Sequence, residues 1–264
     1  MYEVKYHKAS SASDAVSIMG GAEDGKLLAG GQTLIPTMKA KLAAPSDLVD
    51  ISHVDGMSGI GVNGNIVTIG AMTTHAEVAS HAELSARCSG ITLLAGNIGD
   101  PAVRHKGTIG GSIANNDPAA DYPAAMMALE ATIITNNREI AADAFFQGMF
   151  ETALDDGEII TSIRFEVPEK AAYAKFPNPA SRYAMVGVFA AKTANGARVA
   201  VTGAGADGVY RQSEMEAALD GSWGADALAD IDVSSDGLLS DIHGDAVYRA
   251  NLVKVMAGRA VASV

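Results

Sequence analysis

Two glycine pairs about 80 residues apart carry the chain's most suggestive chemistry: Gly30-Gly31 in AGGQTLIP (29–36) and Gly110-Gly111 in GTIGGSIANNDPAAD (107–121). Adjacent glycines let the backbone reach positive φ and let an anion approach closely, so that successive N–H groups can point at one phosphate. Polar side chains flank both pairs: Gln32 and Thr33 at the first, Thr108 and Ser112 at the second. A dinucleotide pyrophosphate shared between two loops uses both segments. Neither has the Rossmann fingerprint, in which GxGxxG joins one strand to one helix and the pyrophosphate sits at a single helix N-terminus.

The elements that must position these residues can be read around them. Lys26 to Ala29 reads as a short buried strand and Gly30-Gly31 as a sharp turn. Gln32 to Leu42 reads as a helix with Leu34, Ile35, Met38 and Leu42 apolar. Taken alone, this segment is equally well a plain strand-to-helix turn. The second segment lacks the apolar bulk of a core strand and runs into small residues (Ala114, Ala119, Ala120) around Asn115, Asn116 and Asp117, which suits backbone packed against a flat ligand. Asp121 precedes Pro123, a residue fitted to the first turn of a helix Ala124 to Leu129. Its carboxylate can cap that helix, the commoner fate of such an Asp, or accept hydrogen bonds from ligand hydroxyls.

Further along, strands are expected within Ile60 to Ala71 and Glu158 to Val167, with a hairpin over Ala131 to Ile140 around Asn136-Asn137. Pro168, Pro177 and Pro179 make Val167 to Asn178 the best candidate domain boundary. Beyond it, Tyr183 to Thr193 and Ala197 to Gly203 read as strands joined at Asn195-Gly196, covered by two helices. The last helix, Asp245 to Val261, places Val247, Leu252, Val255, Met256 and Val261 on or near one core face.

Composition narrows the classes of function. With 264 residues, 48% hydrophobic and 19% charged, the chain can bury a sizeable core. A net charge of −12 argues against nucleic acid or an anionic membrane as partner. The single cysteine, Cys88, can form neither an internal disulfide nor an iron-sulfur site and reads as a buried structural thiol. Six histidines show no metal-ligand spacing and read mostly as surface or capping residues. GAGADG (203–208) spells GxGxxG but leads into a strand, and Asp232 to His243 lacks the terminal Glu of a calcium loop. No nucleophile elbow occurs. No signal-peptide core or long apolar run is evident, so the cytoplasm is the expected location, unless the chain is exported on a signal-bearing partner.

The two glycine segments, with FPNPASRYAMVGVFAA (176–191), RVAVTGAG (198–205) and SDIHGDAVYRANLVKVMAGRAV (240–261), make nearly the whole chain resemble the FAD-binding medium subunits of molybdenum hydroxylases, the carbon monoxide dehydrogenase and xanthine dehydrogenase group. Gln32 and Thr33 stand where many members have His and Ser, and His105 where Asn is common. Pro177 stands where some carry a flavin-reaching Lys.

The resemblance implies an α+β fold. Residues 1–170 would be a two-lobed FAD domain of the PCMH, or vanillyl-alcohol-oxidase-like, type, with lobes of about 1–55 and 56–170. Residues 171–264 would be a small sheet-plus-helices domain. It implies a flavoprotein oxidoreductase subunit with no catalytic acid or base of its own, which passes electrons from iron-sulfur clusters through FAD to an external acceptor. The two-iron clusters would sit on a small partner subunit and the molybdenum cofactor on a large one, commonly in a dimer of heterotrimers. Ala29, Gly30, Gly31, Gln32, Thr33, Leu34, Thr108, Ile109, Gly110, Gly111 and Ser112 would surround the pyrophosphate, the amides of both glycine pairs holding it. Asp121 would bind ribityl or ribose hydroxyls, and Ile160 and Tyr183 would pack on the isoalloxazine. A free-standing FAD oxidase or reductase and a flavin-free scaffold subunit are the competing readings.

Overall fold

The structure is a computed structural model that describes residues 2–264. It mixes helices with three main sheets. The first is parallel: strands Lys5–Lys8 and Gly25–Leu28 flank the central Asp47–Asp50, which is buried along its whole length. Helices Ala12–Gly21 and Leu34–Lys39 make the crossovers. Ligands of parallel sheets bind at the carboxyl ends of the strands. The Gly30-Gly31 turn lies at such an end, directly after Gly25–Leu28.

The second sheet is antiparallel, in spatial order Ile60–Asn63, Ile66–Gly70, Ile160–Glu166, Thr132–Thr135 and Glu139–Ala141. Six short helices fill the chain between Gly70 and Thr132. The strands expected within 60–71 are present and pair as a hairpin, and the hairpin expected over 131–140 is present.

The third sheet is an antiparallel meander of Lys170–Pro177, Ala184–Thr193, Gly196–Thr202 and Tyr210–Arg211. Both of its faces are covered. Ala171, Tyr173, Phe189, Ala191 and Ala200 join the main core that runs back to Ala9, while Val186, Val188, Val199 and Val201 pack on the helices Ser213–Gly221 and Ala246–Ala262. Burial on both sides explains why Ala184–Thr193 is an almost unbroken apolar run rather than an alternating one.

Several expected bounds change. The chain from 170 to 177 is not a proline-rich break but a strand; it lies at the sheet's edge, where Pro177, at its last position and beside a register shift, removes no needed donor. The first-loop helix is Leu34–Lys39, with Lys41 at φ 61° just past its cap, and Leu42 is 81% exposed. In the final helix Val247 and Val255 face solvent, while Val253, Ala257 and Ala260 join Leu252, Met256 and Val261 in the core. Small residues there let the helix lie close on the sheet, a role that an apolar count overlooks.

Candidate functional site

A cleft of about 830 Å³ opens between the first loop, the 98–121 region, the start of Ile160–Glu166 and the 180–183 rim. That size falls within the range of cofactor pockets. Its walls include Ala29 to Leu34, Thr108, Gly110, Gly111, Ser112, Asp121, Ile160 and Tyr183. The exception among the sequence candidates is Ile109, whose side chain is wholly buried in the core behind the wall.

The two glycine segments play different parts. In the first, Gly31 takes φ 68° and its carbonyl accepts from Ile35 N–H at 3.1 Å, which turns the chain from strand to helix. Thr33 precedes the helix without capping it, so its hydroxyl stays available. Among the described residues no acceptor satisfies the amides of Gly30, Gly31, Gln32 or Thr33. Four consecutive donors are thus left in the cleft wall, and unpaired donors of this kind call for an anion or water.

In the second segment the amides are already engaged. Ile109 N–H donates to Thr73 O at 3.1 Å, Gly110 N–H to Ala71 O at 2.8 Å and Gly111 N–H to the Thr108 hydroxyl at 3.1 Å. Thr108 is the N-cap of a helix, Ile109–Asn115, that sequence reading missed because glycines and small polar residues disguise it. The Gly110 and Gly111 amides, which the sequence reading assigned to a phosphate, thus have partners within the chain. These glycines serve close packing: a Cβ on Gly110 would sit 2.6 Å from both the Cβ and the carbonyl oxygen of Ala71. Gly30 has a similar constraint from the other side, since its Cβ would collide with the backbone carbonyl of Lys106. The first loop is pressed against the chain leading into the second.

Asp121 neither caps its helix nor lies open. It is 5% exposed, accepts from Tyr173 Oη at 2.5 Å and lies 2.9 Å from Lys175 Nζ. Burial raises its carboxyl above the usual range, against the pull of the Lys175 ammonium and the Tyr173 hydroxyl. Ile160 is buried at its strand's start, and Tyr183 is 46% exposed on a rim loop organised by Asn178, whose Oδ1 accepts from Ala180 and Ser181 N–H at 2.9 and 3.2 Å.

The cleft also holds groups that the sequence reading did not single out. His75 is buried; its imidazole is lowered to about 4 by burial and by the Arg104 charge, so it stands neutral. Its backbone N–H holds Gly107 O at 2.9 Å. Glu158 is fixed by Arg138, whose hydrogen bonds lower it to about 2. His75 lies in no motif and Glu158 was passed over two residues before the candidate Ile160; only the fold shows that both line the cleft. Of the other histidines, His81 caps the helix Ala82–Arg87, as expected. Cys88 is buried, and burial pushes its thiol up to about 12. Among the described residues no cluster of potential metal ligands occurs, and no helix is long and apolar enough to cross a membrane.

Residues 2–169 match the family described as the FAD-binding domain in molybdopterin dehydrogenase. The chain belongs to that family. It is 31% identical to the nicotine 6-hydroxylase medium subunit of Paenarthrobacter nicotinovorans, covering 98% of this chain and 96% of that one. It is 33% identical to the carbon monoxide dehydrogenase medium chain of Hydrogenophaga pseudoflava, covering 97% and 95%. A crystal structure of Cu,Mo-CO dehydrogenase in a cyanide-inactivated form contains a chain that superposes with a TM-score of 0.89 at 33% identity, over 99% of this chain and 97% of that one. The protein is therefore an FAD-binding medium subunit of the molybdenum hydroxylase family, an oxidoreductase component with the mixed α+β fold of these flavoprotein chains. The cleft fits such a cofactor: free amides on one loop, glycines that admit close approach and an apolar floor with a few placed polar groups.

Proposed function

We propose that this chain is the electron-exit subunit of a molybdenum-containing hydroxylase, working with a large molybdopterin-binding chain and a small iron-sulfur chain, in a dimer of heterotrimers. The observation that carries the reading is the run of four unpartnered amides, Gly30 to Thr33, set in a cofactor-sized cleft of a family member. In it those amides, with the hydroxyls of Thr33 and Ser112, hold the pyrophosphate. Gly110 and Gly111 let the cofactor approach, Thr108 fixes that helix start, and Asp121 accepts from ribityl or ribose hydroxyls. Ile160 and Tyr183 pack against the ring system. FAD supplies a two-electron redox centre that can hand electrons to an external acceptor.

In this reading the iron-sulfur clusters and molybdenum reside on the partner chains. Residues 1–170 act in this reading as the flavin domain, in lobes of about 1–55 and 56–170, and 171–264 as the C-terminal domain; the family match ending at 169 supports that division. A cytoplasmic location belongs to the same proposal. The test is to express the chain with its neighbouring large and small subunits, purify by a tag on this chain, and identify released cofactor and co-purifying chains. Stoichiometric FAD with both partners supports the reading, FAD without partners favours a free-standing flavoprotein, and no flavin in either preparation overturns it.

A further inference from the structure

The cluster behind Asp121 is more elaborate than a hydroxyl acceptor needs. Asp121 and Lys175 side chains are each 5% exposed, and Lys175 Nζ also donates to Asn97 O at 3.2 Å. The Tyr173 hydroxyl occupies space that a Cβ on Gly187 would fill. The chain just before Asp121 is held by the same sheet: Thr202 Oγ1 donates to Ala120 O at 2.6 Å and Gly203 N–H to Pro118 O at 2.8 Å. All of these groups that hold 118–121 lie beyond residue 169, outside the family match: Tyr173, Lys175 and Thr202 in the third sheet and Gly203 directly after the strand Gly196–Thr202.

Stability alone does not account for such a cluster, since a buried ion pair is often no better than apolar packing of the same volume. A fixed carboxylate facing the cleft does account for it, because an ionised carboxyl offers about four acceptor positions and Tyr173 and Lys175 leave some of them unused. We propose that Lys175 and Tyr173 are positioning residues: they hold Asp121 as a fixed carboxylate acceptor in the cleft wall, so that the third sheet completes the FAD site. The inference rests on the flavin reading above. The other ionisable groups facing Asp121 are Tyr122, on its own helix, and Tyr183, on the rim.

The experiment is FAD titration of the full-length apo chain by flavin fluorescence, with apo thermal unfolding alongside, for wild type, Lys175→Met, Asp121→Asn and the double variant. Lys175→Met is expected to weaken FAD binding about tenfold at neutral pH, the order of one charge-assisted hydrogen bond. In the Asp121→Asn background the same change should cost nothing further, because its effect passes through Asp121. Binding by Lys175→Met should also recover as pH rises above neutral, as the uncompensated carboxyl gives up its proton, and should do so more than in wild type. Should Lys175→Met fail to fold, Tyr173→Phe carries the same cycle with an expected loss of about threefold. Equal FAD affinity in wild type and variants, or losses that simply add in the double variant, overturn the inference and leave the flavin reading standing. Wild type that takes up no FAD, alone or with partner subunits, removes both.

Discussion

The loop 29–34 and the segment 108–121 look alike in sequence, each a glycine pair with a hydroxyl residue close behind, yet the fold uses them in opposite ways. In the first the amides are left without partners and the glycines serve a turn and a close approach. In the second the amides close a helix start and a tie to Ala71, and the glycines only make room. A glycine pair therefore signals proximity; whether it also signals anion binding depends on where its hydrogen bonds go.

Substitutions can separate the two roles. Gly30→Ala should be the most damaging, since its Cβ meets the Lys106 backbone where the two segments touch. FAD uptake should vanish, and urea unfolding should show a loss of about 1–3 kcal/mol. Gly110→Ala should cost a similar amount, through its clash with Ala71. Its effect should appear first as lowered stability of the apo chain; an apo chain as stable as wild type would show that the second segment is not a packing device.

Next comes pH. His75, beside the second segment, has its pKa lowered from 6.5 to about 4 by burial. Below 6.5 the unfolded chain takes up a proton that the folded chain refuses. The contribution is thus complete above that pH and is lost as pH falls toward 4, amounting to about 2 kcal/mol between pH 7 and 5. Urea unfolding at both pH values should show that loss in wild type and much less of it in His75→Gln. Gly31→Ala places a side chain at φ 68° and should cost only about 1 kcal/mol of stability while weakening FAD about tenfold, the reverse of the Gly110 pattern. The smallest effect is expected from Thr33→Ala. Its hydroxyl caps nothing, so stability should hold while FAD binding falls about threefold, an amount isothermal titration can resolve.

The third sheet contrasts with both glycine segments. Its long strands were legible because burial on two faces produces apolar runs and because Asn195-Gly196 marks the hairpin, although the two-residue loop itself is Ala194-Asn195 and Gly196 opens the next strand. Lys170–Pro177 was hidden by the prolines around it, of which only Pro177 lies in the strand, at an end that an edge strand tolerates. The helix Ile109–Asn115 was hidden for a related reason: Gly110 and Gly111 lower helix propensity, and only the packing against Ala71 and the Thr108 cap make it form.

The sequence by itself determined the family and marked two glycine segments as places where backbone comes close, because a Cβ at Gly30 or Gly110 would meet neighbouring backbone. Tertiary structure alone decided which amides remain free, that Asp121 is gripped by Tyr173 and Lys175 more than 50 residues away, and that His75 and Glu158 reach the cleft. Hydrogen-bond partners and burial are properties of distant segments brought together, and no local pattern of residue types records them.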